Sequence, residues 1–372
     1  MKKYFVMAAL AVSTLTASAQ SVVPKWINNV KLSGFGIVQY TYNGQENNES
    51  NSFNLRLARL ALDGRAFDDW YWKAQIQFNG NTSTLGSSPK LVDLFIEWQK
   101  YDFLRVKAGQ FKNPFTYENP MHPIDQGFMS YSQVISKFAG FSDRAGAHSS
   151  NGRDIGVQLQ GDFLKNASGR NLIHYQVGVF NGQGINVKDV DQQKNIIGGA
   201  WVMPVEGMRL GAFGWIGSYA RKGTSASEGI TNTKLRRLQQ RRYAFSAEYK
   251  VDDWTFRSEY VHSTGYAFAK AMVNTNDASA KDITLSSNGD KSQGVYALVI
   301  APIIKKKCHA KARYDMYQPS KGAEKQRTQY EIGLDYYFNK NICLTGEYAY
   351  IHDRALADPN YSMIDVELSY RF

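Results

Sequence analysis

Basic side chains recur at alternate positions in several extended segments of the chain. Arg105 and Lys107 are two residues apart, as are Lys311 and Arg313. Residues two apart in a β-strand point to the same side of a sheet. Arginine binds oxyanions through a planar fork of donors, and lysine acts as a point charge. If the side that they share faces water, these residues have the chemistry to attract and pass small anions.

The elements that carry these residues are predicted to be strands with one apolar and one polar face. In residues 70–79, the apolar set Trp70, Trp72, Ala74, Ile76 and Phe78 alternates with Tyr71, Lys73, Gln75, Gln77 and Asn79. The last segment, 361–372, alternates in the same way and ends on an aromatic residue, a feature typical of outer-membrane barrels. The apolar faces are expected to contact lipid and the polar faces water.

Comparable alternation predicts about 16 strands. They are 31–42, 53–66, 70–79, 91–99, 103–111, 153–163, 171–180, 195–204, 207–219, 242–250, 254–263, 293–303, 307–317, 327–338, 341–351 and 361–372. Their connections are alternately short and long, the long ones including 112–152 and 220–241. This asymmetry indicates an all-β, antiparallel transmembrane barrel. A barrel of this size leaves an aqueous lumen. A soluble all-β sandwich is the less favoured alternative.

The composition and the N-terminal residues agree with export to an outer membrane. Aromatic residues make up 13% of the chain, whereas the mean hydropathy is only −0.43. The long apolar stretch of about 20 residues that a membrane-spanning helix needs is not found. Residues 1–19 resemble a signal peptide, 20–30 are predicted to be a short periplasmic segment, and 31–372 the barrel. Without residues 1–19, 42 basic and 33 acidic residues give a net charge of +9.

Four segments resemble the phosphate-selective porin O and P family. They are N-L-R-L-A-R-L-A-L-D-G at 54–64, V-K-A-G-Q-F-K-N-P-F at 106–115, G-R-D-I-G-V-Q-L-Q-G-D at 152–162 and Y-Q-V-G-V-F-N-G-Q-G-I-N at 175–186. The resemblance implies a trimeric 16-stranded porin of a Gram-negative outer membrane. It also implies that the third long loop folds inward and that lumen cations bind oxyanions.

Residues 112–152 are the candidate for that inward loop. They exceed an ordinary hairpin connection and contain apolar residues that could pack against the inner wall. A loop folded on itself or on a neighbouring subunit is the alternative. The alternation, together with the position of Lys112 at the start of this loop, gives a candidate anion pathway. Its members are Arg56, Arg59, Lys73, Arg105, Lys107, Lys112, Arg257, Lys311 and Arg313.

Two features complicate this pathway. Arg56 and Arg59 have opposite parity in one strand, so that both face the lumen only if the strand contains a bulge. The same alternation directs many acids inward, which makes the wall mixed and leaves a salt-bridged general pore as an alternative for each cation. The predicted inward acids are Asp93, Glu97, Asp154, Asp162, Glu248, Glu259, Asp315, Glu331, Asp335, Glu347, Asp365 and Glu367.

A second basic group is predicted at the external mouth. Within 221–242, seven basic residues face a single acid, Glu228, and we expect Arg236, Arg237, Arg241 and Arg242 to attract anions to the entrance. Contact with lipopolysaccharide phosphates is the alternative interpretation of this group.

Together these patterns predict a passive porin for small anions, and the resemblance implies phosphate or polyphosphate among them. A weakly selective general porin and a structural or adhesive barrel are the alternatives. The six histidines are scattered and begin no recognisable catalytic or metal motif, so we expect neither enzymatic activity nor a metal or cofactor. The expected partners are inorganic anions, outer-membrane lipid and lipopolysaccharide, and two further copies of the chain, but not nucleic acid.

Overall fold

A computed structural model describes residues 24, 26–78, 89–146, 150–270 and 282–372. The predicted signal peptide at 1–19 lies outside the described residues, as does most of the connection after the third strand. Among the residues that are described, no helix is long and apolar enough to cross a membrane.

Sixteen antiparallel strands form a closed barrel in which each strand pairs with its neighbours in sequence and β1 pairs with β16. The strands are β1 (Ile27–Asn43), β2 (Ser50–Ala66), β3 (Trp70–Gln77), β4 (Lys90–Tyr101), β5 (Leu104–Lys112), β6 (Arg153–Lys165), β7 (Asn171–Phe180), β8 (Asn195–Val202), β9 (Met208–Ser225), β10 (Ile230–Val251), β11 (Trp254–Thr264), β12 (Lys291–Ile304), β13 (Cys308–Gln318), β14 (Arg327–Asn339), β15 (Ile342–Asp353) and β16 (Asn360–Arg371). The predicted strand number and fold class are confirmed.

The alternation of each strand separates an outer apolar face from an inner polar face. In β16, Ile364, Val366 and Leu368 are exposed on the outside, whereas Asp365 and Glu367 are buried on the inside. The turns at one end are short, and the β10–β11 turn consists of Asp252 and Asp253, both with positive φ. Tight two-residue hairpins of this handedness match the natural twist of paired strands.

The strands β9 and β10 extend much further than the sequence predicts. They span 18 and 22 residues and are joined by residues 226–229, so that the expected long loop at 220–241 is wrong. Residues 226–228 form one 3-10 turn. The extension carries polar residues on both faces, which is why it lacks the alternation typical of a lipid-facing strand. The first strand also begins at Ile27, four residues before the predicted barrel boundary.

The connection between β5 and β6, residues 113–152, folds into the barrel and is called loop L3 here. It contains a 3-10 turn at Pro123–Asp125 and the helix α1 at Gln133–Phe138. The Ser132 hydroxyl caps α1 by accepting a hydrogen bond from the Ile135 N–H, 3.3 Å away. The predicted inward fold of L3 is therefore confirmed, and this loop divides the lumen.

Candidate functional site: the constriction beside loop L3

L3 packs its apolar side chains against one part of the inner wall. Phe115, Tyr117 and Phe138 are fully buried in a cluster with wall residues that include Phe213 and Tyr296. Phe213 lies on β9 and Tyr296 on β12, the cluster also includes wall residues of β5, β7 and β8, and α1 packs on β11, β12 and β13. Burial of this apolar surface holds the loop against the β9–β13 side of the barrel.

Inward-facing carboxylates of the same wall bind the backbone of L3. The Glu259 carboxylate accepts hydrogen bonds from the N–H groups of Tyr117 at 3.0 Å and Glu118 at 2.8 Å. Glu347 accepts from the Met129 N–H at 3.0 Å. These acids therefore satisfy the backbone donors of a buried loop, which would otherwise be left without partners. Asp315 has the same role and accepts from the Gln133 N–H at 2.8 Å.

Three of the predicted pathway cations are bound to L3 carbonyl groups on this side. Arg257 donates to the Gln126 carbonyl at 2.8 Å, Lys311 to the Gly127 carbonyl at 2.8 Å and Arg313 to the Ser130 carbonyl at 3.0 Å. Each is also paired with a wall carboxylate: Glu248 for Arg257, Asp335 and Glu347 for Lys311, and Glu331 for Arg313. All three face inward as predicted, but their charges are compensated and their donors are occupied by the loop.

A cavity of about 290 Å³ lies on the opposite side of L3, between the wall formed by β1 to β7 and the proline-rich edge of the loop. Its cationic lining residues are Arg59, Lys73, Lys107, Lys112 and Arg153, and its only acidic lining residue is Asp93. We call these five residues the constriction cations. The mixed wall that the sequence predicts is thus divided into an anchoring side and a basic side.

A β-bulge resolves the conflicting parity of Arg56 and Arg59. The pairing of β1 with β2 shifts between Ile37–Leu57 and Val38–Leu55, so that Arg56 is the extra residue. Both arginines therefore point inward. Arg56 pairs with Glu367 at 2.8 Å, whereas the Arg59 Nε donates to the Gln77 Oε1 at 3.0 Å.

The constriction cations differ in how strongly they are compensated. Arg153 makes a two-pronged ion pair with Asp93, at 2.6 and 3.1 Å. Lys107 lies 3.6 Å from Glu97. Lys112 donates to backbone carbonyls at the turn of L3, and neither Lys73 nor Arg59 forms an ion pair with a carboxylate in the described part of the chain. The cavity therefore keeps an excess of positive charge.

His122 projects from L3 into the same cavity. Burial lowers the pKa of its imidazole to about 4, and the nearby cations Arg371, Lys112 and Arg59 act in the same direction, whereas Asp125 opposes them. The ring is consequently neutral at pH 7. Its edge packs on the Phe35 ring with a centroid distance of 4.4 Å. His122 narrows the passage without adding charge to it.

Arg105 lies inside the barrel but outside this cavity. It pairs with Asp162, which also binds the His174 ring at 2.7 Å. The His174 imidazole in turn stacks on Trp201. Arg105 is thus one member of a compensated cluster on the inner wall and does not line the constriction.

The four arginines that were predicted for the external mouth lie on β10 and have different environments. Arg242 is buried and forms an ion pair with Asp143 of L3, so its expected place at an exposed mouth is wrong. Arg236 pairs with Glu228, and Arg237 pairs with Asp191 at 2.8 Å. These contacts differ from the prediction because residues 220–241 were expected to form an external loop. They belong instead to the paired strands β9 and β10, whose side chains bind neighbouring segments. Arg241 alone of the four is exposed without an ion pair to a described residue.

Arg153 and the glutamines of the cavity were missed from the sequence. Alternation in β6 predicts that Asp154 faces inward and Arg153 outward. Arg153 nevertheless lines the cavity, because it lies at the first position of the strand, where the chain leaves L3. Its cross-strand partner is Lys112. The G-R-D sequence at 152–154, within a family-like segment, was the available signal.

A closed sixteen-stranded barrel with an inward loop is the fold of an outer-membrane porin, a class of channel. The family model described as phosphate-selective porin O and P matches residues 33–191, which confirms the predicted resemblance over that range. Over residues 33–191 the chain is thus similar to a family of outer-membrane porins, and the barrel fold agrees with a place in the Gram-negative outer membrane. No curated protein matches the sequence.

Solved structures share the fold at low identity. An anion-selective porin from Comamonas acidovorans has a TM-score of 0.62 at 13% identity, covering 92% of this chain and 99% of that one. The outer membrane channel DcaP of Acinetobacter baumannii has a TM-score of 0.60 at 13% identity, covering 92% and 97%. OmpT of Vibrio cholerae in a trimer form has a TM-score of 0.58 at 14% identity, covering 92% and 99%.

Proposed function

We propose that this porin is a passive, anion-selective channel whose selectivity arises in the cavity beside L3. The observation that carries the proposal is the charge of that cavity, where five cations meet a single acid. Fixed positive charge in a narrow passage replaces part of an anion's hydration shell and repels cations. Because the five cations line one cavity between the wall and the loop, an ion in that cavity lies near several of them.

Small oxyanions, phosphate or polyphosphate among them, are the proposed solutes. Support comes from the arginine and lysine donors of the cavity, which suit such ions, and from the family model's description. The Comamonas acidovorans neighbour, described as anion-selective, supports the general charge preference. The uneven compensation of the cations suits transport, since an ion has to be bound weakly enough to leave.

The reversal potential of the purified protein in a planar bilayer under a potassium chloride gradient tests this proposal. We expect the potential to have the sign of chloride selectivity. Titration with phosphate should then reduce the current if phosphate occupies the cavity. A cation-selective channel, or a barrel that does not conduct, would contradict the proposal, whereas weak selectivity without a phosphate effect would indicate a general porin.

We also propose that the barrel assembles as a homotrimer and that its external rim contacts lipopolysaccharide. The trimer form of the structurally similar OmpT supports the first point. The exposed side chains of Arg241 and Lys291 support the second, because both residues pair with Thr264 at the long-loop end of β11. Native mass spectrometry from a mild detergent tests both, by the mass of the assembly and of any retained glycolipid.

A further inference from the structure

The constriction contains neutral amides as well as cations. Gln75 of β3, Gln158 and Gln160 of β6, and Gln176 of β7 all line the cavity. The Gln158 amide donates to Gln160 Oε1 at 2.6 Å, and its own Oε1 is buried without a hydrogen-bond partner. The amides of Gln75 and Gln176 make no hydrogen bond within the described residues, although both side chains are more than nine-tenths buried. Their remaining exposure is to the cavity.

Apolar surface lines the same cavity as these amides. Phe35, Phe95 and Phe111 of the wall, with Pro114, Pro120 and Pro123 of L3, complete the lining. The Lys107 ammonium lies 5.0 Å from the Phe95 ring centre and 5.3 Å from that of Phe111. One side of the passage thus combines a cation with aromatic faces, and the strands beside it present free amide groups.

The size of the cavity exceeds what a single inorganic oxyanion fills. With about 30 Å³ for each molecule of liquid water, a volume of about 290 Å³ corresponds to roughly ten waters. A site made only for phosphate or sulfate would be expected to close around the ion with charged donors. The aromatic and proline surfaces here would remain wet and unused.

We infer that the constriction recognises organic anions that carry several hydroxyl groups, such as a monosaccharide with a carboxylate or phosphate group. Lysine and arginine bind the charged group, as the proposed anion selectivity on which this inference rests already requires. Each glutamine amide offers both a donor and an acceptor, which matches a hydroxyl group's two roles. The apolar face of a sugar ring is complementary to the phenylalanine and proline surfaces. Inorganic oxyanions remain permeant but use only the cations.

The test compares two carboxylates of equal charge and similar ring size in their ability to block the potassium chloride current. The probes are D-glucuronate, which carries hydroxyl groups, and cyclohexanecarboxylate, which carries none. For the wild-type porin in a planar bilayer, we expect half-block at a glucuronate concentration about tenfold lower, the factor that corresponds to about 1.4 kcal/mol. Equal half-blocking concentrations, or stronger block by cyclohexanecarboxylate, would overturn the inference.

A double variant, Gln75→Leu with Gln176→Leu, identifies the groups responsible. It keeps side-chain size and every charge, so the reversal potential should be unchanged while the preference for glucuronate is lost. A preference that survives the substitution would also overturn the inference. If the leucine variant fails to fold, as judged by its migration in an unheated gel, Gln75→Met with Gln176→Met serves the same purpose with a more adaptable side chain. Gln99→Leu, outside the cavity, is the matched control.

The two proposals fail in different ways. Loss of anion selectivity in potassium chloride alone would contradict the proposed function, and that measurement contains no organic solute. An anion-selective channel that does not distinguish glucuronate from cyclohexanecarboxylate would retain the proposed function and remove only the inference. A current that phosphate blocks but neither organic carboxylate blocks would likewise retain the proposed function and remove only the inference.

Discussion

Arg242 of β10 and Asp143 of L3 form a two-pronged ion pair, with both N–O distances at 2.7 Å and both side chains 3% exposed. The pair fixes the far end of L3 to the wall, and the Arg242 guanidinium lies 4.8 Å from the centre of the Trp215 ring. An arginine that the sequence suggests for ion capture thus helps to hold the constriction loop.

Substitution of Asp143 by Asn should destabilise the docked loop. Removing one partner leaves the other charge buried and uncompensated, a cost of about 3–5 kcal/mol in other buried pairs. Urea unfolding of the detergent-solubilised porin, followed by tryptophan fluorescence, measures the change. Asp102→Asn is the control, because its pair with Lys165 is exposed and should contribute at most about 1 kcal/mol. Equal effects of the two substitutions would show that the buried pair has no special role.

Substitution of Glu259 by Gln should loosen the beginning of L3. The carboxylate accepts from Tyr117 N, Glu118 N, the Ser246 hydroxyl and the Tyr296 hydroxyl. An amide has one acceptor oxygen and adds a donor, so some of these buried groups lose their partner, at about 1–3 kcal/mol each.

We expect Glu259→Gln channels to show a larger and noisier single-channel current, because a displaced loop widens the passage. Bilayer recordings measure this directly. Glu206→Gln changes the same side chain at an exposed position in the turn between β8 and β9 and should behave like wild type. A quiet current of unchanged size would mean that Glu259 does not control the position of L3.

Neutralising Lys107 and Lys112 together, each to Gln, should move the reversal potential toward cation selectivity. Both line the cavity, and their loss leaves Arg59, Lys73 and Arg153 as its cations, with Arg153 already paired to Asp93. Lys100→Gln removes a lysine from an exposed position beside Tyr101 and should leave selectivity unchanged. If the double variant keeps the wild-type potential, neither lysine lies in the rate-limiting passage.

His122 should carry a positive charge only at acidic pH. Its lowered pKa of about 4 means that the ring is neutral at pH 7 and gains a proton as the pH falls through that value. We therefore expect wild type and His122→Asn to have the same reversal potential at pH 7. Near pH 4 the wild type should become more anion-selective than the variant. Carboxylates that titrate in this range are common to both proteins, so their contribution cancels when the two reversal potentials are compared. A difference already present at pH 7 would contradict the neutral ring.

The barrel could be predicted because a membrane imposes its pattern on each strand separately. Alternation in β3 and β16 is a local property, since one side of every strand meets lipid. The same reasoning failed for the extensions of β9 and β10. Beyond the membrane neither face of the hairpin contacts lipid, so residues 220–241 have no apolar face and were interpreted as a loop.

The candidate site could be predicted only in part, because its character depends on pairing between distant segments. The inward direction of Lys107 and Lys311 follows from parity alone. That Lys311 binds the Gly127 carbonyl while Lys107 faces open space follows from where L3 lies, which no local pattern specifies. The bulge at Arg56 was needed to place both β2 arginines, and Arg153 was missed because strand parity does not hold at the end of a loop.

The division of the inner wall also separates two kinds of evolutionary change. Glu259, Asp315 and Glu347 bind L3, so substitutions there alter the architecture on which every solute depends. Within the described residues Lys73, Gln75 and Gln176 make no hydrogen bond or ion pair with L3, so substitutions there are expected to change the solute preference at little cost to folding. Lineages exposed to different nutrients could therefore diversify this pore through one half of its circumference while the other half stays fixed.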